Sequence, residues 1–250
     1  MVVNKNNTAW VNRAVGLAWR RFPSTGICYL CTGALKHHDF FICTDCRNDL
    51  PLNDRACTMC ALPVSGELTR CGSCMRERGN PVASTLALFR YVFPVSRLVH
   101  DLKFHAHIEI AGFLGRWIAQ YACTRSAALP ECFIPVPLHA SRVRVRGYNQ
   151  SLEIARAIGE LLDVPVLHNL CVRTIPTPPQ SAVSASLREK NIRGAFALSG
   201  RRGVLPRYVV LIDDVITTGA TVNELARVLR NNGVGRVDVW AAARTEMSGA

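Results

Sequence analysis

VVLIDDVITTGATV, Val209 to Val222, is the stretch that decides how this chain is read. The apolar run from Tyr208 to Ile212 predicts a buried parallel strand, because a strand covered by helices on both faces loses the polar alternation of a half-exposed one. Asp213 and Asp214 stand where that strand is expected to end. Thr217, Thr218, Gly219, Ala220 and Thr221 follow, and a helical pattern then opens with Val222, Leu225, Ala226 and Leu229. Ligands of open α/β sheets bind beyond the carboxyl ends of the strands. A helix N-terminus offers backbone N–H groups and a partial positive charge, which suit phosphate. Gly219 lets the backbone approach closely, and the threonines add hydroxyl donors. The carboxylates can accept from sugar hydroxyls or hold a divalent ion through water. Together these parts suit a sugar phosphate.

An apolar strand, an acidic pair and a Thr/Gly-rich loop in this order resemble the phosphoribosyl-diphosphate (PRPP) signature of type I phosphoribosyltransferases. The resemblance implies that Asp213 and Asp214 contact the ribose and that Thr217 to Thr221 cradle the 5′-phosphate.

A second pattern lies upstream. Four Cys-x-x-Cys pairs run through the chain: Cys28/Cys31, Cys43/Cys46, Cys57/Cys60 and Cys71/Cys74, with gaps of 11, 10 and 10 residues between pairs. Two thiolates two residues apart turn onto one tetrahedral ion, and two such knuckles complete a four-sulfur site. Eight cysteines therefore fit two structural zinc ions. Sequential pairing and crossed pairing have the same stoichiometry, and spacing does not choose between them. A segment this short and turn-rich buries little core, so the metal supplies its folding energy. The spacing favours zinc over disulfides or an iron–sulfur cluster. All-thiolate sites leave no open position for catalysis. His37 and His38 read as surface residues, and Cys123, Cys132 and Cys171, which lack paired spacing, as buried small apolar ones.

The chain has 250 residues, 49% of them hydrophobic, and a formal net charge of +12. That length holds either one large domain or a small domain and a medium one. The charge favours anionic partners such as nucleic acid or phosphorylated metabolites. No apolar run is long enough to span a bilayer. Arg13, Arg20 and Arg21 interrupt the N-terminus, which therefore does not read as a secretory signal, and a cytoplasmic protein is expected. Trp10, Ala14, Leu17 and Ala18 recur at helical spacing, predicting an amphipathic helix docked on the remainder.

Three regions result: a 1–27 extension, a 28–80 double zinc-ribbon-like module, and an 81–250 α/β domain with a parallel sheet flanked by helices. In the last, strands are expected near Thr85–Val92, Cys132–Val136 and Val234–Ala242, with shorter ones possible at Val164–Val166 and Leu170–Val172. Helices are expected over Val95–Lys103, Ile108–Cys123 and Asn149–Leu162. Two loops stand out. Ile134 to Gln150 carries Arg142, Arg144 and Arg146 before Gly147, and guanidinium groups at a strand's carboxyl end suit a diphosphate. Arg173 to Arg193 holds three prolines and reads as a long irregular loop, either a functional lid or a disordered connection. Arg188, Lys190, Arg193, Arg201, Arg202 and Arg207 oppose only Glu189, which suits a surface tracking a nucleic-acid backbone, with Phe196 the one aromatic there.

The cysteine pairs, LVHDLKF at Leu98–Phe104, VPLHASRVRVRGYNQS at Val136–Ser151, the Gln180/Arg188/Asn191 spacing, GAF at Gly194–Phe196 and the acidic signature occur in one order. In that order they resemble the ComF family, and within it the GntX-type members, from about Cys28 to Thr245. The resemblance implies a zinc-binding module joined to a type I phosphoribosyltransferase-like domain. It implies that Arg142 and Arg146 contact the diphosphate, that Gln180 and Arg188 lie on a flexible loop closing over the site, and that Mg2+ accompanies PRPP. It also implies a role in taking up or using external DNA, with single-stranded DNA and the DNA-uptake machinery as partners. Two other roles fit the same residues. One is an active phosphoribosyltransferase in nucleotide metabolism or salvage. The other is a zinc-dependent interaction module with a vestigial site. The residues before Cys28 have no counterpart in the family pattern.

Overall fold

The computed structural model describes residues 26–36, 39–77, 79–125, 128–176, 192–200 and 204–246. The expected N-terminal helix, His37, His38, Gln180 and Arg188 lie outside the described residues.

The sheet is built around the opening stretch. β5 (Tyr208–Ile216) and β6 (Arg236–Arg244) are each buried at every residue but the first. They pair in parallel, with Leu211 opposite Val239 and Ile216 opposite Arg244. β1 (Ser84–Arg90) adds in parallel to β6, and β2 (Cys132–Pro135) to β5, giving the order β1-β6-β5-β2. Parallel neighbours need a crossover, and α7 (Ala220–Asn231) supplies the one between β5 and β6. A separate antiparallel pair, β3 (Cys171–Arg173) and β4 (Phe196–Leu198), sets Arg173 opposite Phe196.

Strand alternation sorts the core into two layers. Val210, Ile212 and Trp240 face α3 (Val95–Phe104), α4 (Glu109–Arg125) and α6 (Gln150–Leu162). Val209, Leu211 and Val239 face the apolar stripe of α7, formed by Val222, Leu225, Ala226 and Leu229. Each fully buried side chain of this size stabilises the fold by about 1.5–3 kcal/mol. α4 and α6 approach closely at Gly115, where an added Cβ would stand 2.7 Å from Ala157 Cβ and 2.8 Å from the Ile154 carbonyl oxygen.

The cysteine-rich region repeats one turn twice. Cys28 N–H donates to the Gly33 carbonyl at 2.7 Å, and Cys57 N–H to the Leu62 carbonyl at 2.8 Å. Two single-turn helices, α1 (Thr44–Asn48) and α2 (Gly72–Arg76), carry the second pair of each set. The region is not a free appendage. Phe40, Ile42 and Leu50 join the same core as Phe113, and Asn53 N–H donates to the Leu88 carbonyl of β1 at 2.9 Å.

Three expectations change. Asp213 and Asp214 lie inside β5, which continues to Ile216 because Val215 and Ile216 keep pairing with β6. The arginine-rich stretch forms a helix, α5 (Ala140–Arg146), rather than a loop; His139 caps its start and Gly147 ends it at φ +85°. Cys132 and Cys171 are buried as expected, but Cys123 is only half-buried. Among the described residues no helix is long and apolar enough to cross a membrane.

Candidate functional site

At the carboxyl ends of β5 and β2 an open cleft of about 1020 Å³ brings together residues distant in sequence. Asp213, Asp214, Thr217, Thr218 and Thr221 form one wall, and Arg142, Arg146 and Arg173 stand on the lining as well. Tyr91, Phe104, Val136, Leu138 and Tyr148 make its apolar part. Gly219 takes φ +84° as the N-cap of α7, a left-handed conformation that side chains other than glycine, Asn and Asp resist. With no side chain there, the start of α7 stays uncovered at the end of the threonine loop.

Both carboxylates are buried and held. Asp213 Oδ1 accepts from Ser151 Oγ at 3.0 Å and from Asp214 N–H at 2.9 Å. Ser151 is placed by the α6 cap: Asn149 Oδ1 accepts from Ser151 N–H, and Asn149 Nδ2 donates to the Val136 carbonyl, each at 3.0 Å. The cap thus ties the end of β2 to the acidic pair. Asp214 Oδ2 pairs with Lys103 Nζ at 2.6 Å.

These contacts split the two acids. Burial, reinforced by the Asp214 charge, pushes the Asp213 carboxyl up to about 8. Burial acts the same way on Asp214, but the Lys103 ammonium outweighs it and holds that carboxyl below its ordinary value. Burial opposes the charge on Lys103, and Asp214 more than restores it. One carboxyl therefore keeps its proton while its neighbour is ionised. Such a pair both donates to and accepts from vicinal hydroxyls. On the cationic side, burial and then the charge of Arg146 lower Arg142; burial and then Arg142 lower Arg173. Crowded guanidinium groups gain from an anion placed among them.

Sequence reasoning placed the acidic pair, the threonine loop, Arg142 and Arg146 on this cleft, and the structure brings them together there. Lys103, Ser151 and Arg173 were missed. Lys103 sits in LVHDLKF, but only the fold shows that α3 points it at β5. Arg244 was also missed. It is buried at the end of β6, where Nε donates to the Cys60 carbonyl at 2.8 Å and Nη1 to the carbonyls of Thr217 and of Thr245. Phe196 is buried beneath Arg173, 5.6 Å from its guanidinium, and is not open to a nucleic-acid base.

The eight paired cysteines gather in two sets, Cys28/Cys31/Cys43/Cys46 and Cys57/Cys60/Cys71/Cys74, with all sulfurs of a set within 4.8 Å of one another. This is the sequential pairing. Cys31 and Cys43 sulfurs are 3.7 Å apart, as are those of Cys60 and Cys71. A tetrahedron of sulfurs around zinc, with bonds of about 2.3 Å, has an edge of roughly 3.8 Å, so each set fits the ion. Cys43 N–H donates to Cys28 Sγ at 3.2 Å. Burial raises the Cys28 thiol, but backbone N–H donors outweigh it and bring the group down to about 6, whereas burial and the neighbouring sulfurs push Cys46 up, so metal uptake by the set releases protons.

Residues 21–75 match the model of the double zinc ribbon domain. Among solved structures, a Bacillus subtilis glutamine PRPP amidotransferase complexed with ADP and GMP is 25% identical, with a TM-score of 0.35, over 52% of this chain and 25% of that one. DNA utilization protein YhgH of Escherichia coli K12 is 34% identical over 88% of this chain and 97% of its own length. Competence protein F of Haemophilus influenzae is 33% identical over 87% of this chain and 96% of its own. Identity at that level along nearly the whole length of both relatives leaves one conclusion: the chain belongs to the ComF family of competence and DNA utilization proteins.

Proposed function

We propose that the chain binds PRPP or a closely related sugar phosphate in the β5–β2 cleft, and handles single-stranded DNA in the cytoplasmic use of external DNA. The carrying observation is the convergence of a buried acidic pair, a threonine loop at a helix N-terminus and three arginines on one cleft. In this reading Asp213 and Asp214 hold the ribose hydroxyls. Thr217 to Thr221 and the first turn of α7 take the 5′-phosphate, and Arg142, Arg146 and Arg173 take the diphosphate. Lys103 fixes Asp214, and Ser151 fixes Asp213. Mg2+, when bound with PRPP, would offset diphosphate charge and favour loss of the Asp213 proton, so that both acids would serve as the hard oxygen donors that suit it. Gln180 and Arg188 are proposed to close over the ligand. The DNA role draws on the names of the relatives and on the +12 charge. A component of the DNA-uptake machinery is the proposed protein partner.

A thermal-shift titration with PRPP and Mg2+ tests the cleft. Wild type should be stabilised, because a ligand that binds only the native state raises its stability. Asp213→Asn/Asp214→Asn should show no shift. Equal shifts in both proteins would remove the acidic pair from the site, and no shift in wild type would remove the ligand. Single-stranded DNA affinity should fall steeply with added salt; insensitivity to salt would exclude a backbone-tracking surface.

A second reading is phosphoribosyl transfer to a base. The apolar lining, Tyr91, Phe104 and Tyr148 among it, favours this reading by offering a face for a planar ring. Diphosphate release that depends on an added base would establish it.

A further inference from the structure

The end of α3 carries a second group of ligating side chains. His100, Asp101 and His105 each bring one ligand atom to within 4.8 Å of the others. His105 Nδ1 lies 2.9 Å from Asp101 Oδ1, and His100 Nδ1 lies 3.5 Å from the same oxygen. None of the three lines the cleft. Asp101 is buried and both rings are exposed. Its other oxygen, Oδ2, accepts from Tyr29 Oη at 2.9 Å and faces Arg97 Nε at 3.6 Å. Tyr29 lies between the first two cysteines of the first ribbon, and it packs edge-on against His107, which in turn faces Glu109.

We propose that His100, Asp101 and His105 form a third metal site, for one divalent ion of borderline softness such as zinc, cobalt(II) or nickel(II). Two imidazoles and a carboxylate are the donor set such ions prefer. Two ring nitrogens already converge on one carboxylate oxygen, so the three ligand atoms meet before any ion arrives. The phenol of Tyr29 occupies the far oxygen and aims Oδ1 at the histidines, as a hydrogen-bonded outer partner does for a ligating carboxylate. The site stands at a helix C-terminus, where the partial negative charge of the last carbonyls favours a cation. Three protein ligands leave a position for water, unlike the closed four-sulfur sets. Among the described residues Arg97 is the one arginine or lysine against Asp101, and its exposed side chain can turn into solvent when the ion arrives. This site is independent of whether the cleft binds PRPP.

The full chain, with its ribbons loaded with zinc and excess metal removed, is titrated with cobalt(II). One equivalent should bind with visible d–d bands and without thiolate-to-cobalt charge-transfer bands. His100→Ala and His105→Ala alter exposed rings, so both variants should keep the fold and both ribbon zincs. Each should weaken cobalt binding by more than about tenfold, and Tyr29→Phe by about tenfold. Three outcomes would each overturn the site: no saturable binding by wild type, charge-transfer bands placing the cobalt on cysteines, or unchanged affinity in the two histidine variants.

Discussion

Along β5 eight of nine residues are buried, whereas α1 of the cysteine-rich region buries none. The sheet is held by side chains that leave water, over strands long enough to form a continuous apolar layer on each face. The ribbons hold their turns at two points where four sulfurs meet. Between those points runs a short connection whose backbone reaches β1 at Pro51, Asn53 and Thr58 but forms no strand of its own. The contrast teaches that the two regions answer to different disturbances: one to lost methyl groups, the other to lost metal.

Chelation should give the largest effect, because structural zinc contributes on the order of 10–16 kcal/mol to folding of such modules. Stripping both ions should release amide protection across residues 39–77 while β5 and β6 keep theirs, as read by hydrogen exchange. Equal loss in the sheet would break the comparison and make the ribbon part of one cooperative unit. Ile212→Ala reverses the disturbance. It removes a fully buried side chain and should cost about 2–5 kcal/mol in urea unfolding, with two zincs still bound per chain. Zinc loss in that variant would again couple the regions.

A third effect, confined to one carboxyl, sharpens the picture within β5. Asp213 is held at about 8 against an ordinary value of 3.8. The folded protein therefore keeps a proton that the unfolded chain has lost over that interval. The stability this gives is complete below the lower value and disappears as pH rises through the upper one. Asp213→Asn should flatten that slope in urea melts of the ligand-free protein. An unchanged slope would mean that the carboxyl is ionised throughout.

Much of this was legible because it is local. The apolar run before Asp213 announced a two-sided strand, and the paired cysteines announced two tetrahedral sites. What escaped depends on chain crossing space. Both zinc pairings have one stoichiometry, so only the fold selects the sequential one. Lys103 gives no local signal, since its partner Asp214 lies on a distant strand. The arginine-rich stretch carried readable helix signals in His139 and Gly147, but alternating valine and arginine masked them. The end of β5 was misplaced because two carboxylates look like a strand terminus. Here Lys103 and Ser151 make their burial tolerable, and the strand runs on.

Arg244 has a consequence for how separable this protein is. One guanidinium grips the Cys60 carbonyl of the second ribbon and the Thr217 carbonyl of the phosphate loop. A fragment beginning at residue 81 would keep every strand yet take the Cys60 partner from Arg244 and open that side of the guanidinium to water, at a cost of about 1 kcal/mol. The ribbon is thus less a detachable accessory than a wall against which the loop is set.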